Sequence, residues 1–139
     1  MGKLHYEMVA LEPMLSSRYQ VKFLDDFLNF NPENISKIDL PKFSDGNWQD
    51  IDIEFMNTAD SNTFVQLSKV ISRHKINLEI QINILGPAAD ILGTWNVIAK
   101  IKSVDFGVLD YADVTTDSIL KSKASFAVVS AQYSYDRSK

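Results

Sequence analysis

The strongest constraint on this chain is a strict two-residue alternation. In Ile76–Leu85 the apolar residues Ile76, Leu78, Ile80, Ile82 and Ile84 alternate with Asn77, Glu79, Gln81 and Asn83. Successive side chains of a strand point to opposite faces, so this pattern predicts a strand with one dry and one wet face. Trp48–Met56 reads the same way, with Ile51, Ile53 and Phe55 against Asp50, Asp52 and Glu54. Ser17–Leu24 alternates Tyr19, Val21 and Phe23 with Arg18, Gln20 and Lys22. Gly93–Asp105 sets Trp95, Val97, Ala99 and Ile101 against Thr94, Asn96, Lys100 and Lys102. Lys123–Tyr135 is a last strand with a weaker pattern.

One segment breaks the period. Asp60-Ser61 offers an N-cap for a helix over Asn62–Lys75, with Phe64, Leu67, Val70 and Ile71 as its apolar stripe. Lys69, Arg73, His74 and Lys75 gather at its C-terminal end, where the helix dipole favours cations. Between the first two strands, Asp25–Gly46 is a long connection punctuated by Asn31-Pro32, Pro41 and Asp45-Gly46. A connection of that length in a small domain is functional or packed against a partner. Val108–Leu120 is a turn-rich link. The N-terminal segment Met1–Leu15 is apolar without a period, so it is either a frayed end or an arm that orders against a neighbour.

Five main strands and one helix predict a mainly β domain over residues 1–139: an antiparallel sandwich or open barrel with a flanking α-helix as a plug. The 45% apolar content supports such a core, and no internal repeat or second domain is visible. The net charge of −4 argues against tight binding to a nucleic-acid backbone. With no cysteine, the chain has no thiolate nucleophile, disulfide or cysteine metal site. No stretch is long and apolar enough to cross a bilayer, Met1–Leu15 lacks the apolar run of a secretion signal, and no membrane partner is expected.

Catalytic constellations are sparse. His5 and His74 lie far apart and lack metal-ligand spacing. Asp50, Asp52 and Glu54 share a strand face, which suits a solvated surface better than acid–base chemistry. Asp105, Asp110, Asp113 and Asp117 lack EF-hand spacing. Asn34-Ile35-Ser36 matches a glycosylation sequon, a motif short enough to arise by chance. No catalytic residue, cofactor site or metal site is expected.

Several segments resemble the tail tube proteins of contractile-tailed bacteriophages. Ser16-Ser17-Arg18-Tyr19-Gln20-Val21 resembles their opening. Ile101–Gly107, Leu109-Asp110-Tyr111-Ala112 and the final Tyr133-Ser134-Tyr135-Asp136 resemble their C-terminal half. The likeness spans Arg18 to Asp136. It implies two packed antiparallel sheets flanked by a helix, as in the related hemolysin-coregulated-protein-like tubes. It further implies homohexameric rings, stacked into a conduit through which DNA passes transiently and non-specifically. Sheath and baseplate proteins would be partners, and the virion tail, assembled in the host cytoplasm, the location. Main tube subunit, tube initiator and secretion-system tube all fit. If the wet strand faces line such a channel, Asp50, Asp52, Glu54, Asn77, Glu79, Gln81 and Asn83 are the lumen candidates. The carboxylates would make the lumen negative, with Lys100 and Lys102 offsetting part of the field. A rival reading is a small monomeric β-barrel that binds an apolar ligand between Trp48, Trp95 and the isoleucine faces.

Overall fold

A computed structural model describes residues 13–111 and 118–135. Eight strands and one helix follow in order: β1 (Tyr19–Phe23), β2 (Ile35–Ile38), β3 (Phe43–Ser44), β4 (Asn47–Trp48), β5 (Ile51–Met56), α1 (Asn62–Ser72), β6 (Leu78–Leu85), β7 (Ile91–Asp105) and β8 (Lys121–Tyr135). Six strands form one antiparallel sheet in the order β1-β6-β7-β8-β5-β2, and β3-β4 is a separate hairpin. The fold is therefore mainly antiparallel β with a single helix, as the alternation predicts.

The sheet curls until its two edges approach each other without pairing. The Tyr19 hydroxyl on β1 donates to the Ile35 carbonyl on β2 at 3.3 Å. Inside, Phe23, Phe30 and Phe55 form a chain of rings at 4.5 and 5.2 Å from the β1 side to β5. Two register shifts in the β7–β8 pairing, at Ile98/Ala99 and Ile101/Ser103, are bulges. Bulges bend long strands, which lets β7 and β8 serve both halves of the curl.

The dry faces fill the interior. Ile51, Ile53, Phe55, Ile80, Ile82, Val97, Ala99, Ala124 and Phe126 are buried and form one cluster with Val21, Leu67 and Val70. Each large side chain buried this way contributes about 1.5–3 kcal/mol. The isoleucine faces that the rival reading places around a ligand instead pack on one another and on the two phenylalanines.

Several boundaries differ from the sequence reading for local reasons. Trp48–Met56 is not one strand. Asn47–Trp48 turns back on Phe43–Ser44 through Asp45 and Gly46, both at positive φ (54° and 78°). Two successive positive φ values make the turn type that matches strand twist. The expected β6 start at Ile76 moves to Leu78, because Arg73–Ile76 closes a turn with a 3.2 Å backbone bond. α1 ends at Ser72 rather than Lys75. Its buried stripe is Thr63, Gln66, Leu67 and Val70, while Ile71 is exposed.

That rotation of the helix has a cause in the long connection. Gln66 accepts from the Asn29 amide at 2.8 Å, Asn62 accepts from the Asn31 amide at 3.0 Å, and Arg73 lies 4.2 Å above the Phe27 ring. Residues 25–34 are thus tied to this chain's own helix rather than left for a partner. Helix capping comes from Asp60. Its carboxylate accepts from the Asn62 amide and the Thr58 hydroxyl, which holds its pKa below the ordinary value, while Ser61 makes no side-chain cap.

Candidate assembly surface

The wet face of the sheet divides into two chemically different halves. Across β7, β8, β5 and β2 the register aligns Asp105, Lys123, Glu54 and Lys37, so charges alternate in sign from strand to strand. Lys123 Nζ reaches Asp52 at 3.2 Å, Lys121 Nζ reaches Glu54 at 3.4 Å, and Lys102 Nζ reaches Asp50 at 2.5 Å. Lys102 can do this because it is the extra residue of the second bulge in β7. Asp39 adds a further carboxylate, accepting from the Asp52 amide at 2.9 Å.

These pairs settle what the strip can do electrostatically. The expected negative strip of Asp50, Asp52 and Glu54 is cancelled, since each carboxylate has a lysine of its own. The Ser125 hydroxyl donates to Asp52 and, with Lys123, holds its carboxyl below the usual range. Asp50 does the reverse service, raising the Lys102 pKa through their hydrogen bond. A carboxylate held ionised in this way is a poor general acid. Among the described residues no group of three His, Cys, Asp or Glu could hold a metal ion.

The other half is mainly amide and hydroxyl, with Lys22 and Glu79 as its charges. Gln20, Asn83, Thr94 and Ser134 form one row across β1, β6, β7 and β8, and Gln81, Asn96 and Gln132 form a second beside Lys22. Asn83 departs from the expectation of a wetted face. It is buried, with its carbonyl oxygen accepting from the Thr94 hydroxyl at 2.7 Å and its amide facing Gln20 at 3.5 Å. Gln81 is half-buried, and Glu79 is exposed with its backbone amide bound to Asp25. Asn77 lies before β6, outside the strand that the alternation assigned to it.

The remaining sequence candidates are peripheral. His74 Nδ1 lies 3.2 Å from the Ile71 carbonyl, a helix-end contact. His5, Asp113, Asp117 and residues 1–12 of the expected arm lie outside the described residues, as do Ala112 and Asp136 of the resemblance. Asn34 of the sequon is buried against Thr58 and Thr63, out of reach of a glycosylating enzyme.

Three stretches of backbone are open to pairing. β1 and β2 are the sheet's two ends. β8 pairs with β5 only over Lys121–Phe126, so among the described residues Ala127–Tyr135 has a ladder with β7 on one side and none on the other, where β4 comes near without pairing. Val129 and Tyr135 are exposed there. The sequence reading already carries the last strand to Tyr135, and its weak alternation reflects partial cover, with Val128 and Ala131 packed on the core and Val129 and Tyr135 exposed.

Comparison with solved structures identifies this architecture. Over 94% of this chain and 97% of the other, it superposes on a protein from the sheath-tube complex of PVC, an extracellular contractile injection system in the extended state, with TM-score 0.69 and 15% identity. The chain shares its fold with components of contractile injection systems. Proteins from the six-fold symmetrised baseplate of the anti-feeding prophage (TM-score 0.63, 18% identity, 88% and 95% covered) and from its tube-terminating cap (0.64, 15%, 90% and 93%) share that fold. No protein-family model and no curated protein matches the sequence. At these identities the likeness is one of backbone fold.

Proposed function

We propose that the chain is a non-enzymatic structural subunit of a phage-like contractile tail, forming homohexameric rings that stack into a tube. The carrying observation is end-to-end superposition on a protein from a sheath-tube complex, with almost nothing left over on either chain. The open backbone of β1, β2 and Ala127–Tyr135 supports lateral joining, because exposed strand edges are otherwise an aggregation liability. Six copies joined through such edges close a barrel that one copy cannot close.

In this reading the wet strand faces line the lumen. Asp50, Asp52, Glu54, Glu79 and Gln81 are its candidate lining residues, with Asn83 bracing Gln20 and Thr94 from beneath, and Asn77 at the rim. Ion pairing makes that lining close to neutral, so DNA passing through meets neither a basic surface that releases counterions nor a strong repulsive field. Sheath and baseplate proteins are the further partners, and the tail of the particle is the location. Ile51, Ile53, Ile80 and Ile82 pack into one buried cluster, which counts against a ligand held between the isoleucine faces of a monomeric barrel.

Electron microscopy of the purified protein, paired with sedimentation, tests the proposal. Six-fold rings or stacked tubes are expected. A monodisperse monomer up to high concentration would overturn it.

A further inference from the structure

The two ends of the sheet carry features that fit each other. At one end, residues leaving β7 form an apolar projection: Leu109 is 88% and Tyr111 91% exposed, with Val108 beside them. It is anchored at its base, where Phe106 packs edge-on against Phe64 at 5.7 Å. Gly107, at φ +113°, turns the chain outward there, and a Cβ on it would stand 2.5 Å from the Lys121 carbonyl oxygen.

At the other end, an apolar groove of about 310 Å³ opens where β1 and β2 diverge. It is lined by Met14, Leu15, Tyr19, Ile38, Leu40 and Ile84, with Arg18 at its side. Leu40 is 50% exposed in it. Ile84 pairs with Gly93 near the start of β7, whereas the projection follows Asp105 at its end. From Gly93 to Phe106 the strand runs about 40 Å at about 3.3 Å per residue. None of the groove's lining comes from the projection of the same chain.

We propose that the Phe106–Tyr111 projection of one copy seats in the β1/β2 groove of the next, a contact that rests on the tube reading and locates its ring-to-ring joint. The occupant is a second copy of this chain. The projection is apolar where the groove is apolar, and Tyr111 and Leu109 are the most exposed large apolar side chains among the described residues, so a second copy that covers them gains the most buried apolar area. A protrusion and its socket at opposite ends of one molecule make a heterologous contact, which propagates head to tail instead of closing as a dimer.

The absence of cysteine makes the contact directly testable. The double variant Leu109→Cys, Leu40→Cys, oxidised after assembly, should give a ladder of disulfide-linked multimers that reductant dissolves. Each single variant should stop at dimers. Leu109→Asp, at a site too exposed to affect folding, should leave rings intact and raise the concentration needed for stacking by about tenfold or more, the loss expected for one buried leucine. Imaging of the same samples separates the outcomes. Stacked tubes without the link overturn the contact and leave the tube function standing. If stacking is instead lost on removing residues 1–12, those residues own the groove. A ladder of linear chains without rings supports the contact and removes the ring reading. Neither ladder nor particle overturns both.

Discussion

Replacing Asp50, Asp52 and Glu54 together with lysine tests whether the wet face is held by its charge pairing. The change moves the net charge from −4 to +2 and sets three new lysines against Lys102, Lys123 and Lys121. The paired side chains are 32–60% exposed, so each bridge is screened, and those of Lys121 and Lys123 contribute roughly 0.2–1 kcal/mol each. Each like-charged pair at Lys121 or Lys123, at about 4 Å, adds a repulsion of up to about 1 kcal/mol in water. Ser125 also loses its acceptor on Asp52. The triple variant should therefore lose about 2–4 kcal/mol. At a urea slope of about 1.5 kcal/mol per M, the unfolding midpoint falls by about 1.5–2.5 M. Adding the complementary swaps Lys102→Glu, Lys121→Glu and Lys123→Glu restores opposite signs and should recover at least half of that shift. An unchanged midpoint in the triple variant, or no recovery in the sixfold one, would refute the pairing argument. The same variants assayed for assembly separate stability from any role of this face in a lumen.

Three further outcomes are expected. Phe126→Ala empties the centre of the core between β5 and β7 and should cost about 3–5 kcal/mol in urea unfolding; a cost under about 1 would mean the curl is not packed as described. Gly93→Ala places a Cβ 1.9 Å from the Tyr133 hydroxyl oxygen and should destabilise the β7–β8 hairpin, with Tyr133→Ala in the same chain relieving most of the loss in thermal unfolding. The Asp52 pKa is lowered on folding, so its contribution is present above the unfolded value of 3.8 and fades as pH falls through the folded value. Asp52→Asn should accordingly be less stable than the parent near neutral pH and converge on it once pH has fallen below the folded value, and a gap that persists there would assign the loss to packing instead.

What could be read from the sequence was whatever repeats every two residues. Ile80, Ile82, Ile51 and Ile53 announced their burial because a strand has only two faces. The helix was placed by its cap and period, but its rotation was not. Gln66 and Asn62 face inward to bind the backbone of residues 29–31, and a polar residue gives no hint of a partner more than thirty positions away. The hairpin at Phe43–Trp48 was legible only as an Asp-Gly punctuation mark. Cross-strand chemistry was the least visible layer. Asp52 and Ser125 are 73 positions apart, and their meeting depends on a register that sheet topology sets. Reading the carboxylates alone suggested a negative strip; adding the lysines of β8 makes it a mosaic. Asn83 misled for the same reason, because Gln20 and Thr94 cover it from neighbouring strands.

The alternation of Asp105, Lys123, Glu54 and Lys37 has a consequence for any array built from this chain. A row of equal and opposite charges has no monopole, and its leading field decays over roughly the spacing between strands, about 5 Å, which is shorter than the Debye length of about 8 Å at physiological ionic strength. Copies repeated around a ring or along a stack would then add nothing to one another's potential through this face. A surface patterned that way can be multiplied many times over without the accumulating self-energy that limits a uniformly charged one, and its behaviour should be nearly indifferent to salt.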